Sequence, residues 1–343
     1  MKRQLAALLL TIFALSLTAC GETAAESETR TVYAMDTVMN LTVYGENAAA
    51  ALESAEKELH TLDEAVLSRT AEGSELYALN TSNGETVEYG ADDILPALIE
   101  TALTISDATA GAFDPTLAPV LDAWGFTKDE RRVPSADELK ELLSHSGCGK
   151  VALEKTADGW TVTLLDGAQL DLGGIAKGYA AGRVRTILRE AGVTSAIISL
   201  GGNVAAVGKK PDGSAWTVGL QDPDRPEAYF GTVSIEDACV VTSGAYQRYF
   251  EENGVCYHHI LDPHTGCPAE SGVKSVSVVA QDDTLADALS TALFVMGLDA
   301  GAEFQKSSGL SFEAVFVTDD NTVWITPGLA GRYRSNRPYQ ILE

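Results

Sequence analysis

Three short segments between Thr242 and Thr291 carry side chains suited to phosphate chemistry: Thr242-Ser243-Gly244, His258-His259-Ile260-Leu261-Asp262-Pro263-His264-Thr265-Gly266 and Asp287-Ala288-Leu289-Ser290-Thr291. A Thr-Ser-Gly turn offers backbone N–H groups and a hydroxyl to an anion. An Asp four residues before a Thr shares a helix face with it, and the pair offers two hard oxygens to a cation such as Mg2+. A nearby His can move a proton. Together these are parts for cutting a phosphate ester. Each also has a plainer explanation. Asp287 and Thr291 could mark a solvated helix face, His259 could be a packed strand histidine, and Asp262-Pro263-His264-Thr265-Gly266 is a turn whatever else it does.

A second group lies upstream. Leu170-Asp171-Leu172-Gly173-Gly174-Ile175-Ala176-Lys177-Gly178-Tyr179 puts two glycines where a strand would turn into a helix, which lets backbone N–H groups approach a phosphate. The glycine spacing matches neither a dinucleotide fingerprint nor a Walker loop. A ligand loop and tight helix packing therefore stay open side by side, and Asp171 could contact a ligand or cap the helix. Ser199-Leu200-Gly201-Gly202-Asn203 is a glycine turn whose plain reading is a strand-to-strand corner.

Positioning these residues requires both strands and helices. Residues 31–45 alternate as a strand and 48–66 repeat apolar residues at helical spacing, as do 94–109. Pro115 and Pro119 then break the pattern into a loop carrying Trp124 and Phe126. Residues 151–164 read as a hairpin around Asp158-Gly159, 170–172 as a short strand, and 175–191 as a helix ended by Gly192. Short β-rich runs follow at 195–200, 204–207, 216–220, 232–235, 239–242, 255–261 and 273–280. A helix over 285–296 and a hairpin over 312–325 close the chain. Strands and helices mix without a regular βαβ rhythm, which predicts an α+β fold in one domain, with a bilobed body allowed.

The chain has 343 residues, 45% hydrophobic and 21% charged, an ordinary globular composition. Its net charge of −25 repels nucleic acid and anionic lipid, so neither is an expected partner. The first twenty residues have a basic start at Lys2 and Arg3, an apolar run, and Leu17-Thr18-Ala19-Cys20 before Gly21. That pattern reads as an export signal over residues 1–19 with a bacterial lipobox, making Cys20 the acylated N-terminus and residues 20–30 a tether. No other apolar segment reads as a span. Cys148, Cys239, Cys256 and Cys267 form no Cys-x-x-Cys pair, so isolated buried thiols are expected rather than a zinc site or a disulfide framework.

Taken in order, Met35-Asp36-Thr37, Ser74-Glu75-Leu76 with Asn80, Gly111-Ala112-Phe113-Asp114-Pro115-Thr116, the Asp171–Tyr179 segment, Leu200-Gly201-Gly202-Asn203 and the three downstream segments resemble the ApbE family, the FAD:protein FMN transferases. The resemblance covers roughly residues 31–327. It implies an ApbE-like, T-fold-related domain over 31–335, with a mixed, mostly antiparallel sheet and flanking helices. It implies that Met35, Ala112, Phe113, Asp114, Asp171, Lys177, His259 and Ile260 line an FAD site, and that Mg2+ takes the Gly174 carbonyl with Asp287 and Thr291. His259 would be the base, and the acceptor would be a threonine of an exported or membrane flavoprotein of the Nqr or Rnf type. The lipid on Cys20 would hold the enzyme at the outer face of the cytoplasmic membrane. Three positions depart from the family pattern: Gly174 stands where Ala, Ser or Thr is usual, which a main-chain ligand tolerates, and two matter more, Asp36 where Gly is usual and Thr70 where an aromatic covers the flavin or adenine. An Mg2+-dependent FAD pyrophosphatase and a flavin-binding lipoprotein remain alternatives.

Overall fold

The computed structural model describes residues 26–126, 128 and 130–343. The expected leader, Cys20 and residues 20–25 of the tether lie outside the described residues. The ordered elements run from Ser27 to Ile341, taking in residues on both sides of the 31–335 span.

The segment expected as one strand over 31–45 is a hairpin. β1 (Ser27–Ala34) and β2 (Thr37–Tyr44) pair antiparallel with Ala34 opposite Thr37, leaving Met35-Asp36 as a two-residue turn. Both turn residues have positive φ, 51° and 56°, as a type I′ turn requires, and Asp tolerates that region better than most residues. The apolar alternation continues through both arms, and Met-Asp lacks the usual Asn-Gly signature; that is why the turn was hidden.

This hairpin forms the edge of a nine-stranded sheet. Inward from it come β6 (Ser195–Leu200), β7 (Asn203–Gly208), β10 (Cys239–Gly244), β13 (Val273–Ala280), β14 (Phe312–Thr318), β15 (Val323–Ile325) and β17 (Tyr339–Ile341). Neighbours are antiparallel except β15 and β17. One face is covered by helices α1 (Ala48–Thr61), α6 (Gly173–Glu190) and α7 (Asp283–Ser307). On the other lies a small sheet of β8 (Trp216–Asp222), β9 (Arg225–Ile235) and β16 (Tyr333–Ser335), whose Trp216, Phe230 and Val233 pack on Val240, Val279 and Val315. With both faces covered, β13 reads as an almost continuous buried run. The result is the α+β, mostly antiparallel architecture expected from the sequence.

The remaining elements frame the open end of the sheet. They are α2 (Glu75–Asn80), α3 (Ile94–Ala108), α4 (Ala118–Trp124), α5 (Ala136–Leu143), a three-stranded sheet of β3 (Val87–Gly90), β4 (Val151–Lys155) and β5 (Gly159–Leu164), and a hairpin of β11 (Tyr249–Glu252) and β12 (Val255–His258). The loop expected around Trp124 is instead α4, because Pro119 sits in its first turn, where a missing N–H costs nothing. Trp124 and Phe126 pack with Phe250 and Tyr257 to bind that helix to the β11–β12 hairpin. Residues 170–172 do not form the expected strand: the Asn80 side chain brackets Leu170, accepting from its N–H and donating to its carbonyl, in place of a neighbouring strand.

Among the described residues one helix, α7, is long and apolar enough to cross a membrane, but it is packed in the core and interrupted at Gly297 (φ 76°). Of the described thiols only Cys239 is buried as expected; Cys148 and Cys267 are half-buried, and Cys256 is exposed on β12 next to Tyr257, which packs on Trp124.

Candidate active site

Every residue assigned from the sequence to the FAD or Mg2+ site lines a single cleft of about 820 Å3 at the end of the sheet. Met35 comes from the β1–β2 turn, Ala112, Phe113 and Asp114 from the loop after α3, and Asp171, Gly174 and Lys177 from the start of α6. His259 and Ile260 follow β12, and Asp287 and Thr291 project from α7.

The metal side is built where α6 crosses α7. Asp287 is 4% exposed, which rules out the solvated-face explanation. Its Oδ2 accepts from the Gly178 N–H at 2.7 Å. A side chain at Gly178 would stand 2.3 Å from the Asp283 carbonyl and 2.6 Å from Asp287 Cβ, so the two helices meet at a residue without one. Gly178 is therefore the packing glycine of its motif. In a regular helix the Gly178 N–H closes on the Gly174 carbonyl; Asp287 competes for that donor, leaving the Gly174 carbonyl freer to bind a cation. Thr291 Oγ1 lies 3.8 Å from where a Gly174 Cβ would be, and 3.3 Å from Ser243 Oγ. Among the described residues no three His, Cys, Asp or Glu gather as a metal cluster. One carboxylate, one hydroxyl and one carbonyl, all hard oxygens beside an open cleft, fit Mg2+, which keeps waters and takes phosphate oxygens rather than filling a protein cage.

Thr242-Ser243-Gly244 is not the expected turn. It is the last part of β10, paired to β13, and what it offers is hydroxyl groups: Ser243 Oγ sits 2.7 Å from Ser290 Oγ, and Thr242 Oγ1 2.7 Å from Ser277 Oγ. On its β13 side the segment is held as extended ladder, not as the turn of successive N–H groups that an anion nest needs.

The expected strand 255–261 ends at His258, so His259 begins the loop that enters the cleft. Its Nδ1 lies 3.1 Å from the Arg248 carbonyl. A carbonyl can only accept, so Nδ1 carries the proton and Nε2 keeps a lone pair. Burial of the ring in the cleft, aided by the positive charges of Arg248 and Lys177, pushes its pKa down to about 4. His259 is thus a neutral base at pH 7.

Asp171 Oδ1 accepts from Gly173 N at 2.8 Å at the start of α6, which is the helix-end reading, while Oδ2 meets Arg69 Nε at 2.7 Å. Arg69 also reaches Asp122 on α4 at 2.8 Å. Arg69 and Arg248 were missed in the sequence, because isolated arginines in loops carry no periodic or motif signal; each stands out only once the chain is folded. With Lys177 they place three cations in a cleft that is also lined by Asp36, Asp63, Asp114, Asp171 and Asp287, in a protein of net charge −25. Thr70 faces the same cleft, where Phe113, Phe126 and Tyr246 are the aromatic walls.

The model of the ApbE family matches residues 35–316. The chain belongs to the ApbE family. Among ApbE-family relatives, the FAD:protein FMN transferase of Treponema pallidum is 37% identical, with 94% of each chain covered. That of Klebsiella pneumoniae is 34% identical over 72% of this chain and 76% of its own. Solved ApbE-family structures superpose closely. The ApbE protein of Thermotoga maritima gives a TM-score of 0.79 at 34% identity, covering 87% of this chain and 96% of its own. The apo flavinyl transferase of Pseudomonas stutzeri gives 0.75 at 30%, covering 86% and 91%. The class common to these enzyme names, transferase, is the class of this chain.

Proposed function

We propose that this protein is an Mg2+-dependent FAD:protein FMN transferase that moves FMN from FAD to a threonine hydroxyl of an exported or membrane flavoprotein, releasing AMP. The observation that carries the reading is the convergence in one cleft of a neutral His259, the Asp287–Thr291–Gly174 oxygens and the cations Lys177, Arg69 and Arg248. The names of the relatives point the same way.

In this reading Met35, Ala112, Phe113, Asp114, Asp171, Lys177 and Ile260 hold FAD. Gly174, Asp287 and Thr291 would hold Mg2+, which offsets negative charge at the pyrophosphate. His259 Nε2 takes the threonine proton as the hydroxyl oxygen bonds to the FMN phosphorus. The P–O bond to the AMP phosphate breaks, and AMP leaves. Lys177 and Arg248 offset charge on the oxygens around that phosphorus. The lipobox supports an exported lipoprotein anchored through Cys20 by its lipid alone, with acceptors of the Nqr or Rnf type. One feature favours a second reading: Thr70 where the family has a flavin-covering aromatic would leave water better access, and water in place of threonine gives an FAD pyrophosphatase.

The test is to incubate the chain from residue 21 onward with FAD, Mg2+ and a threonine-motif acceptor domain, and to weigh the acceptor. A mass gain of FMN minus water, abolished by chelator and by Asp287→Asn, is expected. An unmodified acceptor beside free FMN and AMP would establish the pyrophosphatase, and intact FAD would sink both.

A further inference from the structure

Among the described polar side chains that line the cleft, buried or half-buried, one has a buried atom without a partner. Thr242 is paired with Ser277, Ser243 with Ser290, and Asp287 with Gly178. Asn203 is 3% exposed and its Nδ2 has no partner; of the buried side-chain atoms without partners among the described residues, it alone belongs to a residue lining the cleft. A buried donor left unpaired is costly in a folded protein and calls for an explanation at each occurrence.

The position of Asn203 indicates what it is for. It opens β7 after the Gly201-Gly202 turn, which lies against Thr37 at the start of β2: a side chain on Gly201 would stand 2.5 Å from Thr37 Oγ1. On its other side β7 pairs with β10, Val204 opposite Val240, which brings Thr242 and Ser243 to the same end of the sheet. Ser243 in turn touches Thr291. Asn203 therefore lies at the end of the sheet where Ser243 and Thr291 meet, in a cleft whose lining cations are Arg69, Lys177 and Arg248, and its Nδ2 is covered and unpaired there.

We infer that Asn203 is a ligand-binding residue whose side-chain amide donates to a phosphoryl oxygen of the bound pyrophosphate. The identity of that ligand rests on the flavin-transfer reading; the orphaned donor does not. A charge-assisted bond of this kind is stronger than a neutral one. An amide unpaired without ligand and paired with it stores binding energy at some cost to the empty fold.

The test uses Asn203→Ala and Asn203→Asp in the full chain. Affinity for FAD, inorganic pyrophosphate and riboflavin is titrated calorimetrically with Mg2+, and the Tm of the unliganded protein is measured. Asn203→Ala should bind FAD and pyrophosphate about 10- to 100-fold more weakly, with the unliganded Tm unchanged or raised. Asn203→Asp should bind them more weakly still, since a carboxylate then faces the phosphate. A lowered unliganded Tm with normal affinity would make Asn203 a structural residue and overturn the inference. So would weaker riboflavin binding with normal pyrophosphate binding, because the donor would then face the flavin ring. If the wild type binds pyrophosphate but not FAD, the flavin reading fails while the Asn203 comparison is still decided with pyrophosphate. No binding of either by the wild type overturns both.

Discussion

The Gly178 N–H donates to Asp287 Oδ2 at 2.7 Å across the contact between α6 and α7, so one hydrogen bond joins helix packing to the geometry of the proposed metal site. Gly178→Ala should upset both at once. The added carbon meets main-chain atoms of Asp283, which cannot rotate away, and overpacking of this kind costs about 1–3 kcal/mol. Denaturant unfolding should show that loss, and the Mg2+ concentration for half-maximal flavinylation should rise. A variant with wild-type stability and Mg2+ dependence would show that the helices do not fix the site.

His259 should set an unusually acidic lower limit to activity. Because its pKa lies at about 4, below the ordinary imidazole value, the acid limb of kcat/KM from this group should fall near pH 4 and not near 6.5. The sign for stability follows from the same shift. The folded state favours the neutral ring, so its contribution is complete above about pH 6.5 and is lost as pH falls from there toward 4, where the unfolded chain binds a proton that the folded one refuses. His259→Gln should lower the rate about 10²- to 10⁴-fold and lose less stability than the wild type between pH 7 and 5. Equal pH slopes for the two proteins would contradict the assignment.

Arg185 should be the side chain of α6 least tolerant of truncation. Its side chain is 3% exposed; Nη1 donates to Asp283 Oδ2 at 2.6 Å and to the Gln281 carbonyl at 2.9 Å, and Nη2 to the Asp237 carbonyl at 2.9 Å. Burial already raises the Asp283 carboxyl above its usual range despite the arginine. Arg185→Ala strands that carboxylate, at a cost of about 3–5 kcal/mol. The penalty should shrink at acid pH, where a proton can neutralise Asp283, and urea melts at pH 5 and pH 8 compare the two.

The fold class was legible in the sequence, and so were the residue types that the fold gathers in one cleft, whereas individual turns and long-range partners were not. Asp287, Thr291, His259 and Asp171 stood out by residue type and spacing, yet each singly allowed a plainer reading, and their joint occurrence with the other motifs is what marked them. The turn at Met35-Asp36 was hidden because two-residue turns leave the alternation of both arms intact. The helix at Ala118–Trp124 was hidden because proline reads as a breaker unless its place in the first turn is known. Asn80 pairing with Leu170 and Arg69 with Asp171 join residues roughly 90 or more positions apart, and no local pattern encodes such partners. Asn203 was noted only as part of a glycine turn, since the absence of a partner is visible only when the neighbours are in place.

The cleft draws one wall from the β1–β2 hairpin near the start of the chain and another from α7, and β2 completes its pairing only with β6, Leu41 opposite Ile198. Such non-local closure is slow and comes late in folding. A nascent chain that has emerged only as far as β13 would already present Met35, Phe113, Asp171 and His259, yet have nothing opposite them. A fragment that stops short of α7 lacks Asp287 and Thr291, and with them one wall of the cleft.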